Sequence, residues 1–407
     1  MNSQNDRTLF YLAAGLAAGS LLTYLLRQSA AGAATSTLDT QATAPASPLI
    51  ANGLDDAIGN TPLIRIKSLS DATGCEILGK AEFLNPGGSP KDRVALAILK
   101  QGEAAGLLVP GRGDVVYEGT VGSTGISLAW LCRARGYTAH IVMPDDQAAE
   151  KASLLQSLGA IVERVRPASI VDRGQFVNRA RALAAAHSAD PTRPGQGLFA
   201  DQFETEANWQ AHYAGTAVEI LAQTQGKMDA FVAGAGTGGT LTGIARRLKP
   251  AIPGLQIVLA DPQGSGLFNK VQQGVLFADT EREGTRRRSQ VDTVVEGIGL
   301  NRLTRNFAAG LPLLDQAIRV TDREAVAMSQ YLMQHDGLFL GSSSAVNCVA
   351  AVRMAEQMGP GHRIVTILCD PGTRHLSKFH NTAYLASHDL TSEASLRFDG
   401  RRMVFPW

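Results

Sequence analysis

Short apolar runs that end in a glycine-rich turn and open a helical pattern recur three times along this chain, and that recurrence narrows the fold more than any other feature. The first is Asn85-Pro86-Gly87-Gly88-Ser89-Pro90-Lys91-Asp92-Arg93, between the apolar run 77–84 and the helical pattern 94–99. A turn from strand to helix presents the Lys91 amine at a sheet edge, beside free backbone N–H groups where an anion is favoured. Burial and neighbouring positive potential lower an amine's pKa, so such a lysine suits Schiff-base chemistry. Taken alone, the stretch reads as a surface lysine in a Gly/Pro turn.

The second turn is Gly234-Ala235-Gly236-Thr237-Gly238-Gly239-Thr240, between the buried-strand pattern 229–233 and the helical pattern 241–248. Glycines there let the backbone approach an oxyanion, with N–H groups and the helix dipole aimed at it, which makes a phosphate cup. It lacks the closing Gly-Lys-Ser/Thr of a Walker loop and is a poor dinucleotide fingerprint. The third, Glu118-Gly119-Thr120-Val121-Gly122-Ser123-Thr124-Gly125, offers N–H and O–H donors suited to a carboxylate. By itself it is equally an ordinary N-capped loop.

Between these turns, strand patterns (115–117, 138–142, 160–165, 230–233, 256–260, 364–368) alternate with helical ones (126–135, 150–158, 175–186, 207–223, 323–334, 345–358), as in an open α/β protein. Glycines such as Gly136 and Gly159 close helices as C-caps. The 407 residues, 44% hydrophobic and 18% charged, suffice for about two domains. A net charge of +1 without basic runs argues against nucleic acid as a partner. Arg286-Arg287-Arg288, with Glu281 and Glu283 nearby, reads as a solvated loop. Cys75, Cys132, Cys348 and Cys369 show neither metal spacing nor a disulfide framework, which favours a reducing compartment and no metal. His212, His362 and His375 read as surface or packing residues, since none has a second ligand at helical spacing.

The 19 residues Thr8 to Leu26 carry no charge, between Asp6-Arg7 and Arg27. As a helix they span about 28 Å, close to the hydrocarbon thickness of a bilayer. Residues 1–27 therefore read as a single-pass N-terminal anchor, and Gly15 and Gly19 as a small-residue pair that lets two anchors pack. Ala31-Gly32-Ala33 keeps a cleavable signal open as the alternative. Residues 28–48, rich in Ala, Ser and Thr with two prolines and one charge, read as a flexible tether.

In this order, the motifs resemble the fold-type II pyridoxal-phosphate enzymes, and within them the cysteine synthase and cystathionine β-synthase family. Gly59-Asn60-Thr61-Pro62-Leu63, Asn85 to Arg93, Gly236 to Thr240, Gly297-Ile298-Gly299 and Gly341-Ser342-Ser343-Ser344 carry the resemblance. It runs from about Ile58 to Phe379, and it extends to the fungal mitochondrial branch with a hydrophobic N-terminal anchor. The implied fold is α/β and tryptophan synthase β-like: two three-layer α/β/α domains (49–205 and 206–385) with the cofactor in the cleft, one transmembrane helix before them and an extension at 386–407. The early strand region 64–84 would cross between the domains.

The resemblance makes Lys91 the lysine that holds pyridoxal 5'-phosphate as a Schiff base and then moves the substrate's α-proton. It gives Gly236, Thr237, Gly238, Gly239 and Thr240 to the phosphate, and Thr120, Gly122, Thr124 and Gln202 to the substrate's α-carboxylate. Ser343 would bond the pyridine nitrogen. Ser123 would contact the cofactor where the family usually has asparagine, and Val121 replaces a usual serine. The implied reaction is β-replacement, O-acetyl-L-serine and sulfide giving L-cysteine and acetate. Serine dehydration, cysteine desulfhydration, cystathionine synthesis, or a tethered cofactor-binding protein without cysteine synthase activity are the alternatives that the two substitutions keep open. A homodimer in the mitochondrial outer membrane is the implied assembly and location.

Overall fold

The structure is a computed structural model that describes residues 50–278, 293–393 and 396–405. The expected anchor and tether and the Arg286–Arg288 cluster lie outside the described residues. Among the described residues, no helix is long and apolar enough to cross a membrane.

Two sheets organise the body. The larger has six strands in the order β1-β2-β10-β7-β8-β9: β1 (Leu63–Arg65), β2 (Glu76–Ala81), β7 (Ala230–Gly234), β8 (Gln256–Pro262), β9 (Gln316–Val320) and β10 (Arg363–Leu368). All neighbours run parallel except the β1/β2 pair. The smaller sheet is wholly parallel, in the order β5-β4-β3-β6, from β3 (Val115–Gly119), β4 (Thr138–Pro144), β5 (Ile161–Val165) and β6 (Gly197–Phe199). The early strands thus join the sheet built mainly from the C-terminal half.

Alternation along the strands explains the layering. Ala230, Val232, Val258, Ala260 and Ile364 face the helices Asp322–Asp336 and Ser342–Met358, whereas Phe231, Ala233, Ile257, Leu259 and Val365 face the helices Ala217–Thr224 and Gly239–Leu248. A sheet buried on both faces needs apolar residues in near-continuous runs, as these strands have. In the smaller sheet Val116, Ala139, Ile141 and Met143 pack with the helices Lys91–Ala104 and Ser123–Arg135, and the helix Phe176–Ala189 covers the other side of β3. Gly119 permits that contact, because a Cβ there would lie 2.5 Å from Val177 Cα.

Helix ends follow their chemistry. Thr321 and Glu324 form a reciprocal capping box, and Gly136 closes its helix in the left-handed conformation. The pattern at 207–223, read as one helix, is interrupted: Ala207–Ala211 passes through a π-helical turn, His212–Thr216, into Ala217–Thr224. Within the C-terminal extension, Arg397–Asp399 and Arg402–Val404 form a two-stranded antiparallel hairpin. Its Met403, with Leu396, buries against the helices of the larger sheet.

Candidate active site

In parallel sheets, ligands gather beyond the carboxyl ends of the strands. Here four such ends converge on one cavity of about 340 Å³. β2 leads through residues 82–90 to Lys91, β3 into Thr120 to Thr124, β7 into Gly236 to Thr240, and β10 into Cys369 and Asp370. Lys91, Thr120, Ser123, Thr124, Gln202, Gly236, Thr237, Gly238, Thr240 and Ser343 all line it. Val121 lines it too. Gly122 and Gly239 are not among its lining residues, so each could serve a ligand only through its backbone. Gly122 (φ 144°) turns the chain where a Cβ would strike Lys151 Cδ at 2.6 Å, and Gly239 lies against Asn208, where a Cβ would meet Oδ1 at 1.9 Å.

Lys91 opens a 14-residue helix after a turn fixed from several sides. Gly87 N–H donates to Asp92 Oδ2 at 2.6 Å, Ser127 Oγ donates to Asp92 Oδ1 at 2.5 Å, and Arg374 donates to the Gly87 carbonyl. Among the described residues nothing hydrogen-bonds the Lys91 amine. Loss of water holds it below the usual lysine range, against the opposing pull of Cys369, Asp370 and Glu82. A lowered amine pKa supplies the free base that carbonyl addition and proton abstraction both need.

Behind the lysine lies a buried charge cage. Arg93 bonds Glu82 at 2.7 and 2.8 Å and Glu219 at 2.5 and 2.8 Å, while Lys80 bonds Glu219 at 2.6 Å. Thr61 Oγ1 donates to Glu82 at 2.7 Å. The cage ties β2, the Lys91 helix and the helix Ala217–Thr224 together. Burial raises the pKa of Glu219, but the bonds to Arg93 and Lys80 outweigh it and bring it to about 2.

Residues 236–240 fit a phosphate. They open a ten-residue helix whose first N–H groups lack intrahelical partners. Their glycines have no room for a side chain: a Cβ at Gly236 would sit 2.2 Å from the Gly297 carbonyl oxygen, and one at Gly238 (φ +88°) 2.6 Å from Phe307 Cα. On the facing side, Thr124 donates to Gln202 Oε1, and Gln202 Nε2 donates to Glu118 Oε1 at 3.2 Å. Ser343 is buried and adjoins Cys369 in the wall. A phosphate cup, a free amine and hydroxyl donors around one cavity are a donor set that suits pyridoxal 5'-phosphate.

Several wall residues escape a reading of local motifs. Lys151, Glu296, His375 and Lys378 line the cavity and form one ionic network. Glu296 pairs with Lys151, with Lys378 at 3.1 Å and with His375 Nδ1 at 3.5 Å, and His375 Nε2 lies 3.0 Å from Asp370. His375 is therefore a cavity residue, and His212, wholly buried, bonds Thr240 at 3.1 Å. The His362 ring lies 3.0 Å from the Gly359 carbonyl, away from the cavity lining.

Residues 54–370 match the model of the pyridoxal-phosphate dependent enzyme family. "Cysteine synthase 2" of Schizosaccharomyces pombe is 57% identical over 389 residues, 95% of this chain and 97% of that one. A Saccharomyces cerevisiae protein provisionally named a mitochondrial cysteine synthase is 54% identical over 344 residues, 84% of this chain and 87% of that one. Among solved structures, the O-acetylserine dependent cystathionine beta-synthase of Helicobacter pylori superposes with a TM-score of 0.68 at 29% identity, over 81% of this chain and 99% of that one. A family match across most of the body, over a cavity whose donors suit the cofactor, makes this chain a member of the pyridoxal-phosphate dependent enzyme family.

Proposed function

We propose that the chain is a pyridoxal-phosphate dependent cysteine synthase, converting O-acetyl-L-serine and sulfide into L-cysteine and acetate. The observation that carries this reading is the Lys91 amine, free of partners among the described residues and opening into a cavity shared with the phosphate cup and the Thr120–Thr124 turn. Its relatives at 54–57% identity, both named as cysteine synthases, support it.

Pyridoxal 5'-phosphate, when bound, supplies an electron sink for charge left at the substrate's α-carbon. Gly236, Thr237, Gly238, Gly239 and Thr240 would hold its phosphate, Ser343 its ring nitrogen and Ser123 its ring oxygen, with Lys91 as the covalent attachment. Thr120, Gly122, Thr124 and Gln202 would hold the α-carboxylate, foremost through the Thr120 hydroxyl, whose oxygen accepts from Gly122 N–H and whose proton remains to donate. Lys91 would take the α-proton, since the burial that lowers its pKa favours the free amine that this transfer needs. A serine hydroxyl at the ring nitrogen, in place of a carboxylate that would protonate it more firmly, would favour prompt departure of the β-substituent.

The spectrum of the purified full-length protein tests this. O-acetyl-L-serine should change the visible absorption, sulfide should restore it with release of L-cysteine, and Lys91→Ala should do neither. Absorption that O-acetyl-L-serine leaves untouched would reject that substrate. Val121 and Ser123, both in the cavity wall, favour L-serine and L-cysteine as the next amino acids to try.

The Saccharomyces cerevisiae relative supports a mitochondrial location. In the finer assignment, the anchor at residues 1–27 with its 28–48 tether rests on the uncharged stretch Thr8 to Leu26, while the outer membrane, the homodimer and the division of the body at 205/206 rest on the family resemblance. Release of the protein from mitochondria by alkaline carbonate would refute the anchor, and a monomer in light scattering would refute the dimer.

A further inference from the structure

The two hydroxyls of the phosphate cup are each held from behind by a buried side chain of one helical stretch. Asn208 and His212, four residues apart and both at most 1% exposed, sit on one side of the Ala207–Ala211 helix and the π-turn after it. π-turns are rare and gather at functional sites. The helix that opens at the cup lies hard against this stretch: a Cβ at Gly243 would come within 2.7 Å of His212 Cβ.

Asn208 Nδ2 donates to Thr237 Oγ1 at 2.8 Å and to the Gln202 carbonyl at 2.7 Å. A backbone carbonyl only accepts, so the second bond fixes which end of the amide faces Thr237. Asn208 Oδ1 has no partner among the described residues, so the amide is held by donation alone. Thr237 Oγ1 is thereby an acceptor towards Asn208, and its own proton is left for the cavity.

His212 makes the matching contact with Thr240. Its Nε2 lies 3.1 Å from Thr240 Oγ1, and its Nδ1 lies 2.9 Å from Thr216 Oγ1. Burial keeps the ring neutral, with a pKa pushed down to about 3. A neutral imidazole donates from one nitrogen and accepts at the other. An anion in the cup requires the Thr240 proton, so Oγ1 must accept from Nε2–H while Nδ1 accepts from Thr216.

We propose that Asn208 and His212 are positioning residues that make Thr237 and Thr240 dedicated hydrogen-bond donors to the cofactor's phosphate. This rests on the reading of residues 236–240 as the phosphate cup.

Titration of cofactor-free protein with pyridoxal 5'-phosphate and, separately, with pyridoxal separates the two. Both aldehydes react with a lysine, and only one carries a phosphate. Wild-type protein should bind the phosphate ester far more tightly. Asn208→Leu, which removes the donor without adding charge, and Asn208→Asp, which replaces it with an acceptor, should each cut that preference about tenfold or more while leaving pyridoxal affinity in place. His212→Leu should do the same, and His212→Gln, whose amide can donate to Thr240, should recover most of the loss. Equal weakening of both ligands, or no change in either, would overturn the proposal and leave the two side chains as packing. A wild-type protein with no preference for the phosphate ester would instead overturn the cup itself.

Discussion

Lys151 and Glu296 form an ion pair across the cavity, one from the helix Ala149–Ser157 beside the smaller sheet, the other from the segment before Gly297 that borders the larger. Both side chains are nearly inaccessible, at 3% and 7% exposure, so the pair is desolvated and couples the two walls. Glu296 also holds Lys378 and His375, which makes it the hub.

Removing the hub should therefore cost more than removing one spoke. Glu296→Gln leaves Lys151 and Lys378 without their carboxylate and His375 with Asp370 alone, for an expected loss of about 3–5 kcal/mol in denaturant unfolding. Lys151→Met leaves Glu296 two partners and should cost less, and the double variant should lose less than the sum. Strict additivity would show that the pair carries no coupling. Burial raises the pKa of Glu296, but Lys151, His375 and Lys378 together hold it well below the carboxylate range. Its contribution is present above about pH 4.5 and is lost as pH falls through the folded value. For His375, burial lowers the pKa and Asp370 with Glu296 raises it further than that. Its contribution is complete below about pH 6.5 and fades as pH rises through the folded value. Stability from the network should be greatest between these limits.

Arg93 gives a second test, because among the described residues it alone bridges Glu82 and Glu219 beneath the lysine turn. Glu82 is wholly buried, so Arg93→Leu strands it without a cation and leaves Glu219 with Lys80 alone, and should cost about 3–5 kcal/mol in urea unfolding. Arg93→Lys should recover only part of that loss, since one ammonium lacks the planar fork that engages two carboxylates at once. A leucine variant within about 1 kcal/mol of wild type would mean that the cage relaxes onto Lys80 or water.

These two networks mark what a linear reading misses. Lys91, Thr120 to Thr124 and Gly236 to Thr240 are legible because each motif is local: an apolar run, a turn and a helix start lie within about a dozen residues. Lys151, Glu296 and His375 come from three distant segments, and their meaning arises only when folding brings them together. Asn208 and His212 fall in a helical pattern whose spacing is ordinary, and nothing in that spacing announces the π-turn. β6 and the hairpin strands have three residues each, too short for alternation to stand out. Gly122 and Gly239 are a further lesson, since glycines of a local motif also let neighbours from distant segments approach, Lys151 in one case and Asn208 in the other.

The glycines of the cup separate a clash from mere backbone strain. Gly236→Ala and Gly238→Ala place a methyl 2.2 Å from a carbonyl oxygen and 2.6 Å from Phe307 Cα, so both should weaken pyridoxal 5'-phosphate binding at least tenfold. Gly297→Ala at φ +87° meets nothing within 4 Å and should cost only the left-handed backbone penalty, about 1–2 kcal/mol of stability. Fluorescence titration of the cofactor-free variants, together with their melting curves, distinguishes the two outcomes. Equal cofactor affinity in all three would show that the loop tolerates displacement.

Glu118 gives a pH-dependent prediction. Its side chain is wholly buried beside Gln202, and burial pushes its pKa from 4.5 up to about 8 despite the Gln202 hydrogen bonds. Nearby Asp201 pushes the same way. An acid with a raised folded-state pKa keeps its proton in the native protein while the unfolded chain releases it. Native protein then binds more protons than unfolded protein, so stability falls as pH rises from about 4.5 towards about 8. Glu118→Gln abolishes the titration and keeps the volume. Its melting temperature relative to wild type should therefore climb steadily between pH 5 and pH 8, because only the wild type loses stability on this account. The substitution also fixes an amide beside Gln202 Nε2, which needs the acceptor oxygen of residue 118 to stay oriented towards Thr124. A difference in melting temperature that stays constant across that range would show that Glu118 ionises normally, with its charge balanced by the Gln202 donors.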